Sequence, residues 1–137
     1  MKTKIFALLL AVLMLFTCAS LLACNDVAAE GLWENATYRR DCTLGDGEKT
    51  VEVTVEAGDA SIVLTIKTDE DNLADAMKEH DLLVGENGLY TTVNGITADF
   101  SIDQSWWMLC KDGEMTSYGA DDATVDGGER YSFVYTK

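Results

Sequence analysis

Two runs separated by four residues constrain this chain most: TVEVTVE at 50–56 and SIVLTIK at 61–67. Val51, Val53 and Val55 alternate in the first, and Ile62, Leu64 and Ile66 alternate in the second. A strand turns consecutive side chains to opposite faces, so each run carries one apolar and one polar face and fits a half-buried strand. The link Ala57-Gly58-Asp59 is short and contains glycine, which makes the pair a hairpin. Whatever the rest of the chain does, it has to cover one face of that hairpin.

The period then changes. Thr68-Asp69-Glu70-Asp71 reads as a capping-box-like helix start, with Thr68 as the N-cap and acids in the first turn. Leu73, Ala76, Met77 and His80 recur at helical spacing, and the helix is expected to end near His80 or Asp81. His80 is the only histidine, and a solvated or half-packed imidazole is the ordinary outcome at such a position. Beyond it, 90–93 and 96–100 flank Asn94-Gly95, and 105–111 and 114–118 flank Asp112-Gly113. Both dipeptides are strong hairpin signals. An acidic loop at 119–128 leads to a last strand at 130–137, with Tyr131, Phe133 and Tyr135 on one face, and no proline demotes any strand. The expected fold class is α+β and β-grasp-like: one helix packed on a mixed, mostly antiparallel sheet, following an N-terminal signal or lipoprotein segment.

That N-terminal segment sets the compartment. Lys2 and Lys4 precede an uninterrupted apolar run at 5–16, and TCASLLAC follows, the order of a secretory signal peptide. Leu21-Leu22-Ala23-Cys24 resembles the bacterial lipobox, in which cleavage leaves Cys24 carrying lipid and anchors the protein to the cell membrane. Cleavage after Ala29 would give a soluble secreted protein instead, and an uncleaved run at 5–23 would just span a bilayer. All three readings place the folded part outside the cytoplasm. The chain accordingly divides into a signal peptide at 1–23, a tether with a short early strand at 24–47, and a single domain at 48–137. The Asn35-Ala36-Thr37 sequon is read as a chance match.

All 24 acidic residues but only 8 of the 10 basic ones lie from Cys24 onward, a formal charge of −16. Such a balance repels phosphate backbones, so nucleic acid is not an expected partner; it also keeps a surface protein soluble. Of four cysteines, Cys42 and Cys110 fall in the folded part. Export permits a disulfide between them, with two separately buried thiols as the alternative. No CxxC or Cys/His spacing offers a zinc site. The oxygen-rich stretch 121–126 matches no EF-hand register. Asp121-Asp122 is a carboxylate pair of the kind that is usually solvated, and no Ser/His/Asp set or glycine-rich phosphate loop accompanies it. An enzyme is therefore the least favoured class, and no metal or cofactor is called for.

Several features together are recognisable: the helix at 73–80, the Val93-Asn94-Gly95 turn, the paired aromatics Trp106-Trp107, Lys111-Asp112-Gly113-Glu114, and the closing YSFVYT. In that order and spacing the chain resembles the transcobalamin C-terminal-like domain family, bacterial lipoprotein branch, over roughly residues 48–137. The resemblance implies a β-grasp-type module that binds soluble ligands. In animal cobalamin carriers a similar domain closes over the corrinoid beside a helical barrel domain. This sequence carries no such barrel, so a corrinoid is expected to bind it weakly. The family pattern Tyr-Trp-x-Phe-Tyr reads Trp106-Trp107-Met108-Leu109-Cys110 in this chain, and Cys42 stands where the bacterial branch has threonine. Two departures that are both cysteine favour a Cys42–Cys110 bridge.

The same correspondence makes Trp107 and Leu109 core beneath the helix, with Trp106, Met108 and Cys110 on the other face. That second face is then open or covered by the N-terminal segment, and Trp106 is either a lid over a local cluster or part of a ligand surface. The function expected is a lipid-anchored extracytoplasmic binding module, its ligand a small soluble molecule such as a corrinoid or its partner an envelope protein. Trp106, Met108, Tyr90 and Tyr118 would supply the contact surface. The Asn94-Gly95 turn and the loop with Gly119 and Asp121 would rim it. The alternative is a cell-surface structural or protein–protein interaction domain with no small-molecule ligand.

Overall fold

The computed structural model describes residues 26–137. The signal peptide, Cys18, the lipobox and the lipidation site Cys24 lie outside the described residues. The early hairpin is present and slightly longer than expected: β2 (Lys49–Ala57) pairs antiparallel with β3 (Ala60–Thr68) over their full lengths. A three-residue strand β1 (Cys42–Leu44) runs parallel to β3, a few residues later than the expected early strand. At the far end of the chain β7 (Trp106–Lys111), β8 (Glu114–Met115) and β9 (Arg130–Thr136) form an antiparallel set. The two groups join through β2 and β9, which are parallel and in register at Val53↔Tyr131 and Val55↔Phe133. The result is one six-stranded mixed sheet in the order β1-β3-β2-β9-β7-β8.

Between β3 and β7 the chain builds most of what covers one face of this sheet, with Trp33 and the loop residues Ala120, Ala123 and Val125 joining it. Helix α1 (Leu73–Lys78) buries Leu73, Ala74, Ala76 and Met77. Six residues are too few for a helix to persist alone, so burial of these side chains, about 2 kcal/mol for one of Leu or Met size, holds it in place. The helix starts at Asn72, not at the expected Thr68. Thr68 remains the last residue of β3, while the Asn72 side chain accepts from the Asp75 N–H at 2.9 Å and donates to the Asp75 carboxylate at 2.9 Å. His80, just past the helix, is half-buried, as expected, with its Nε2 buried and without a hydrogen-bond partner among the described residues.

A second sheet follows, β4 (Leu83–Glu86), β5 (Leu89–Val93) and β6 (Ile96–Thr97), and then a short helix α2 (Phe100–Asp103). The architecture is α+β as expected, with three additions: strand β4, which makes the expected 90–100 hairpin part of a separate small sheet, a second helix that begins at Phe100, the end of the expected strand, and a 3₁₀ turn at Gly31–Trp33. β4 and β5 are joined by Asn87-Gly88, whose φ values of 55° and 78° match those of Asn94-Gly95 (52° and 78°) and Asp112-Gly113 (52° and 84°). Positive φ at both central residues is the type I′ requirement, which explains the Asn-Gly and Asp-Gly pairs at all three positions.

The core lies between the large sheet and this cover. Val51, Val53, Val55, Ile62, Leu64 and Ile66 meet α1 and the small sheet, joined by Trp107, Leu109, Tyr131 and Phe133 from the other strands. Trp33 closes one end, its indole N–H donating to the Ala57 carbonyl at 2.9 Å. Among the described residues this core is drawn from those between Trp33 and Phe133, a span of the size of one compact domain. The opposite sheet face, carrying Thr54, Val63, Met108, Ser132 and Val134, is half-exposed and has no covering layer among the described residues.

This topology overturns the expected Cys42–Cys110 disulfide. Both thiols are free. Cys42 pairs with Leu64 and shares its core side, whereas Cys110 pairs with Ser132 on the other face. β3, β2 and β9 lie between their strands, four steps or about 19 Å at the usual strand spacing. A disulfide needs Cα atoms within about 7 Å. Desolvation raises both thiol pKa values, with neighbouring Asp41 adding to the effect at Cys42 and Glu56 at Cys110. Raised thiols react slowly. Native protein spanning 26–137 should therefore react sluggishly with a thiol reagent at neutral pH and release two thiols per chain after denaturation without reductant. A single prompt count of zero after denaturation would contradict the topology.

Candidate functional site

Trp106 and Trp107 part company as the strand period requires. Trp107 is buried: its indole N–H donates to the Ile96 carbonyl at 3.1 Å, and its ring meets Tyr135 edge-on at 5.5 Å and 83°. Trp106 is 40% exposed. Both border a cavity of about 290 Å³ between β7, the small sheet and the loop at 119–120. Its inner wall is Trp107, Leu109 and Phe133; its outer wall is Leu89, Phe100 and Trp106. Leu89 and Phe100 are 76% and 66% exposed, so an apolar rim surrounds the mouth. Large exposed apolar groups gathered around a concavity are the mark of a binding surface.

Each wall has a local cause. Phe100 is presented by α2, where the Asp99 carboxylate caps the helix by accepting from the Ser101 N–H at 2.9 Å. Gln104 leaves the helix in a left-handed conformation at φ 62°. Ser105, buried at the cavity wall, then accepts from the Asp99 N–H at 2.9 Å and donates its hydroxyl to Asp103 at 2.5 Å. That hydrogen bond is the leading reason the Asp103 carboxyl sits below the usual carboxylate range. The opposite wall, Gly119 and Ala120, is held by the start of α1. The N–H groups of Leu73 and Ala74 have no partner within their own helix, and they donate to the carbonyls of Ala123 and Ala120 at 2.8 and 3.1 Å. The acidic loop is thereby pinned by the free donors of a helix terminus.

Tyr90 lines the cavity from β5 and donates its hydroxyl to Asp121 at 2.5 Å, with the Lys78 ammonium 5.1 Å from its ring centroid. Burial, and then the bond donated to Asp121, raise the Tyr90 phenol above its ordinary pKa. Of the residues singled out from sequence, Trp106, Tyr90, Gly119 and Asp121 are thus brought to one place. The others are not. Met108 lies on the uncovered sheet face beside Val134. Tyr118 is exposed and does not line the cavity.

Asn94 and Gly95 form no rim. Asn94 is fully buried, its amide accepting from the Tyr38 N–H and donating to the Tyr38 carbonyl, both at 2.9 Å. Gly95 lies so close to the Asn35 carbonyl that a Cβ would stand 2.4 Å from it. This turn clasps the N-terminal segment. The sequence reading missed Phe100, Leu89 and Ser105; the Asn87-Gly88 pair was the signal that would have placed Leu89 at the start of a strand.

Residues 70–137 match the model of a domain of unknown function, DUF4430. A candidate metal-binding protein from Ruminococcus gnavus ATCC 29149, known from its crystal structure, is 34% identical with a TM-score of 0.61. The match covers 66% of this chain and 98% of that one. With such identity across nearly the whole relative, the chain belongs to the same family as that protein. The matched segment lies within residues 48–137, over which the sequence resembles the transcobalamin C-terminal-like domain family. Haptocorrin in complex with Cbi matches at 22% identity and a TM-score of 0.49, over 65% of this chain and 25% of its own. No curated protein matches the chain.

The geometry separates structural from site residues by their cost on removal. Asn94→Ala leaves two partly buried backbone groups of Tyr38 without their partner and should destabilise the fold by about 2 kcal/mol or more in denaturant titration. Tyr90→Phe removes one partly exposed hydrogen bond and should cost about 1 kcal/mol or less. The reverse ranking would show that Asn94 is not the clasp described.

Proposed function

We propose that the protein is a lipid-anchored, extracytoplasmic binding module of β-grasp type that takes a small soluble ligand and performs no catalysis. The observation that carries the reading is the cavity of about 290 Å³, walled by aromatic and aliphatic side chains and rimmed by exposed Leu89, Phe100 and Trp106. Apolar cavities with a few placed polar groups are the usual form of a small-molecule site. The sequence resemblance points to a corrinoid as the ligand class, and the lipobox at Leu21-Leu22-Ala23-Cys24 supports anchoring through Cys24. The Ruminococcus relative is described as metal-binding; among the described residues of this chain, no group of three or more His, Cys, Asp or Glu side chains stands close enough together to hold an ion.

Trp106 reports on the site directly. The indole groups of Trp33 and Trp107 are hydrogen-bonded inside the core, while Trp106 is exposed at the mouth. Titrating residues 26–137 with cobalamin and cobinamide, corrected for corrinoid absorption, should give saturable tryptophan quenching that weakens in Trp106→Ala. Absence of saturable change with both would remove corrinoids as ligands of the domain. In the whole chain, incorporation of radiolabelled fatty acid should disappear in Cys24→Ala; persistent labelling would remove Cys24 as the anchor.

A further inference from the structure

We infer that the cavity admits one ring system of about ten to fifteen non-hydrogen atoms, uncharged or cationic, and rejects anions. The inference rests on the cavity being the ligand site. A volume of about 290 Å³ is that of about ten water molecules at roughly 30 Å³ each, at the lower end of small-molecule sites. A macrocycle of corrinoid size is several times larger, so it would seat an edge or a substituent and leave its bulk outside. The lining favours a ring. Tyr90, Phe100, Trp106, Trp107 and Phe133 all contribute to it, and aromatic faces and edges offer offset or edge-on contacts to a flat guest.

Charge preference follows from where the hydroxyl hydrogens go. Tyr90 and Ser105 line the cavity, and both hydrogens are already donated to carboxylates, Asp121 at 2.5 Å and Asp103 at 2.5 Å. An entering anion would therefore meet neither hydroxyl as a free donor. It would instead approach Asp121, whose second oxygen lies 3.4 Å from where a Cβ on the lining residue Gly88 would stand. Lys78 and Asp121 both stand behind the lining, the Lys78 ammonium over the Tyr90 ring and the Asp121 carboxylate on the Tyr90 hydroxyl and near Gly88. A cationic ring, in contrast to an anion, finds the Asp121 carboxylate behind Tyr90 and Gly88 and the exposed indole of Trp106.

Three probes with one shared ring test this: indole, tryptamine and indole-3-acetate, titrated into residues 26–137 by calorimetry. Indole and tryptamine are expected to bind with one-to-one stoichiometry. Indole-3-acetate is expected to bind at least about tenfold more weakly than tryptamine. Phe100→Ala, a change at an exposed position that leaves the core intact, should weaken indole and tryptamine about tenfold. Equal affinity for the cation and the anion would overturn the charge preference. Failure of all three probes alongside saturable quenching by cobinamide would overturn the ring-size inference and leave the ligand site standing. Failure of the probes and of cobinamide together would remove both.

Discussion

The parallel pairing of β2 with β9 is the contact on which the rest depends. It joins strands nearly eighty residues apart and puts Val53 beside Tyr131 and Val55 beside Phe133 at the middle of the sheet. Further backbone bonds lengthen it, from the Glu52 N–H to the Glu129 carbonyl at 3.0 Å and from the Gly128 N–H to the Thr50 carbonyl at 2.7 Å. Parallel neighbours cannot be joined by a tight turn, so the intervening chain has to cross over a face of the sheet. α1, the small sheet and α2 are that crossing. Because they all fall on one side, the core is one-sided, and the polar residues between the core valines of β2 are left facing solvent.

The cavity belongs to the same arrangement. It forms where the two layers are only partly filled by side chains: Trp107, Leu109 and Phe133 come from the large sheet, and Leu89 and Tyr90 from the small one. What holds its apolar rim in place is polar. Ser105 fixes the end of α2, and the unpaired N–H groups of α1 fix the loop that supplies Gly119 and Ala120. A six-residue helix contributes little to stability on its own, yet its terminus positions a wall of the site. Its effect on the cavity thus exceeds its share of the buried surface.

The alternating strands were legible because the period-2 pattern is unambiguous where one face is buried, as in 50–56 and 61–67. Helix α1 was legible from Leu73, Ala76 and Met77, though Asn72 took the cap because Thr68 was already committed to β3 as its final residue. The small sheet was half legible: 90–93 and Asn94-Gly95 announced themselves, but 82–85 (LLVG) reads as a continuous apolar stretch after a helix and has no alternation to mark the strand at 83–86. The role of Asn94 was not legible, since a turn asparagine looks the same whether it faces solvent or grips an irregular segment 56 residues away. The cysteines were misjudged for a related reason. Their separation depends on strand order, and the insertion of β9 next to β2 is a long-range event that no local pattern records.

The two edges of the large sheet are its shortest strands, β1 with three residues and β8 with two. Beside β1, the Asp41 carboxylate accepts the Val63 N–H at 2.8 Å, so a side chain occupies a donor that the short strand leaves unpaired. A neighbouring chain seeking to extend the sheet finds almost no ladder to copy at either end. With a formal charge of −14 on the whole sequence adding repulsion between copies, a chain this rich in strand is protected against polymerising into fibres even where it is crowded.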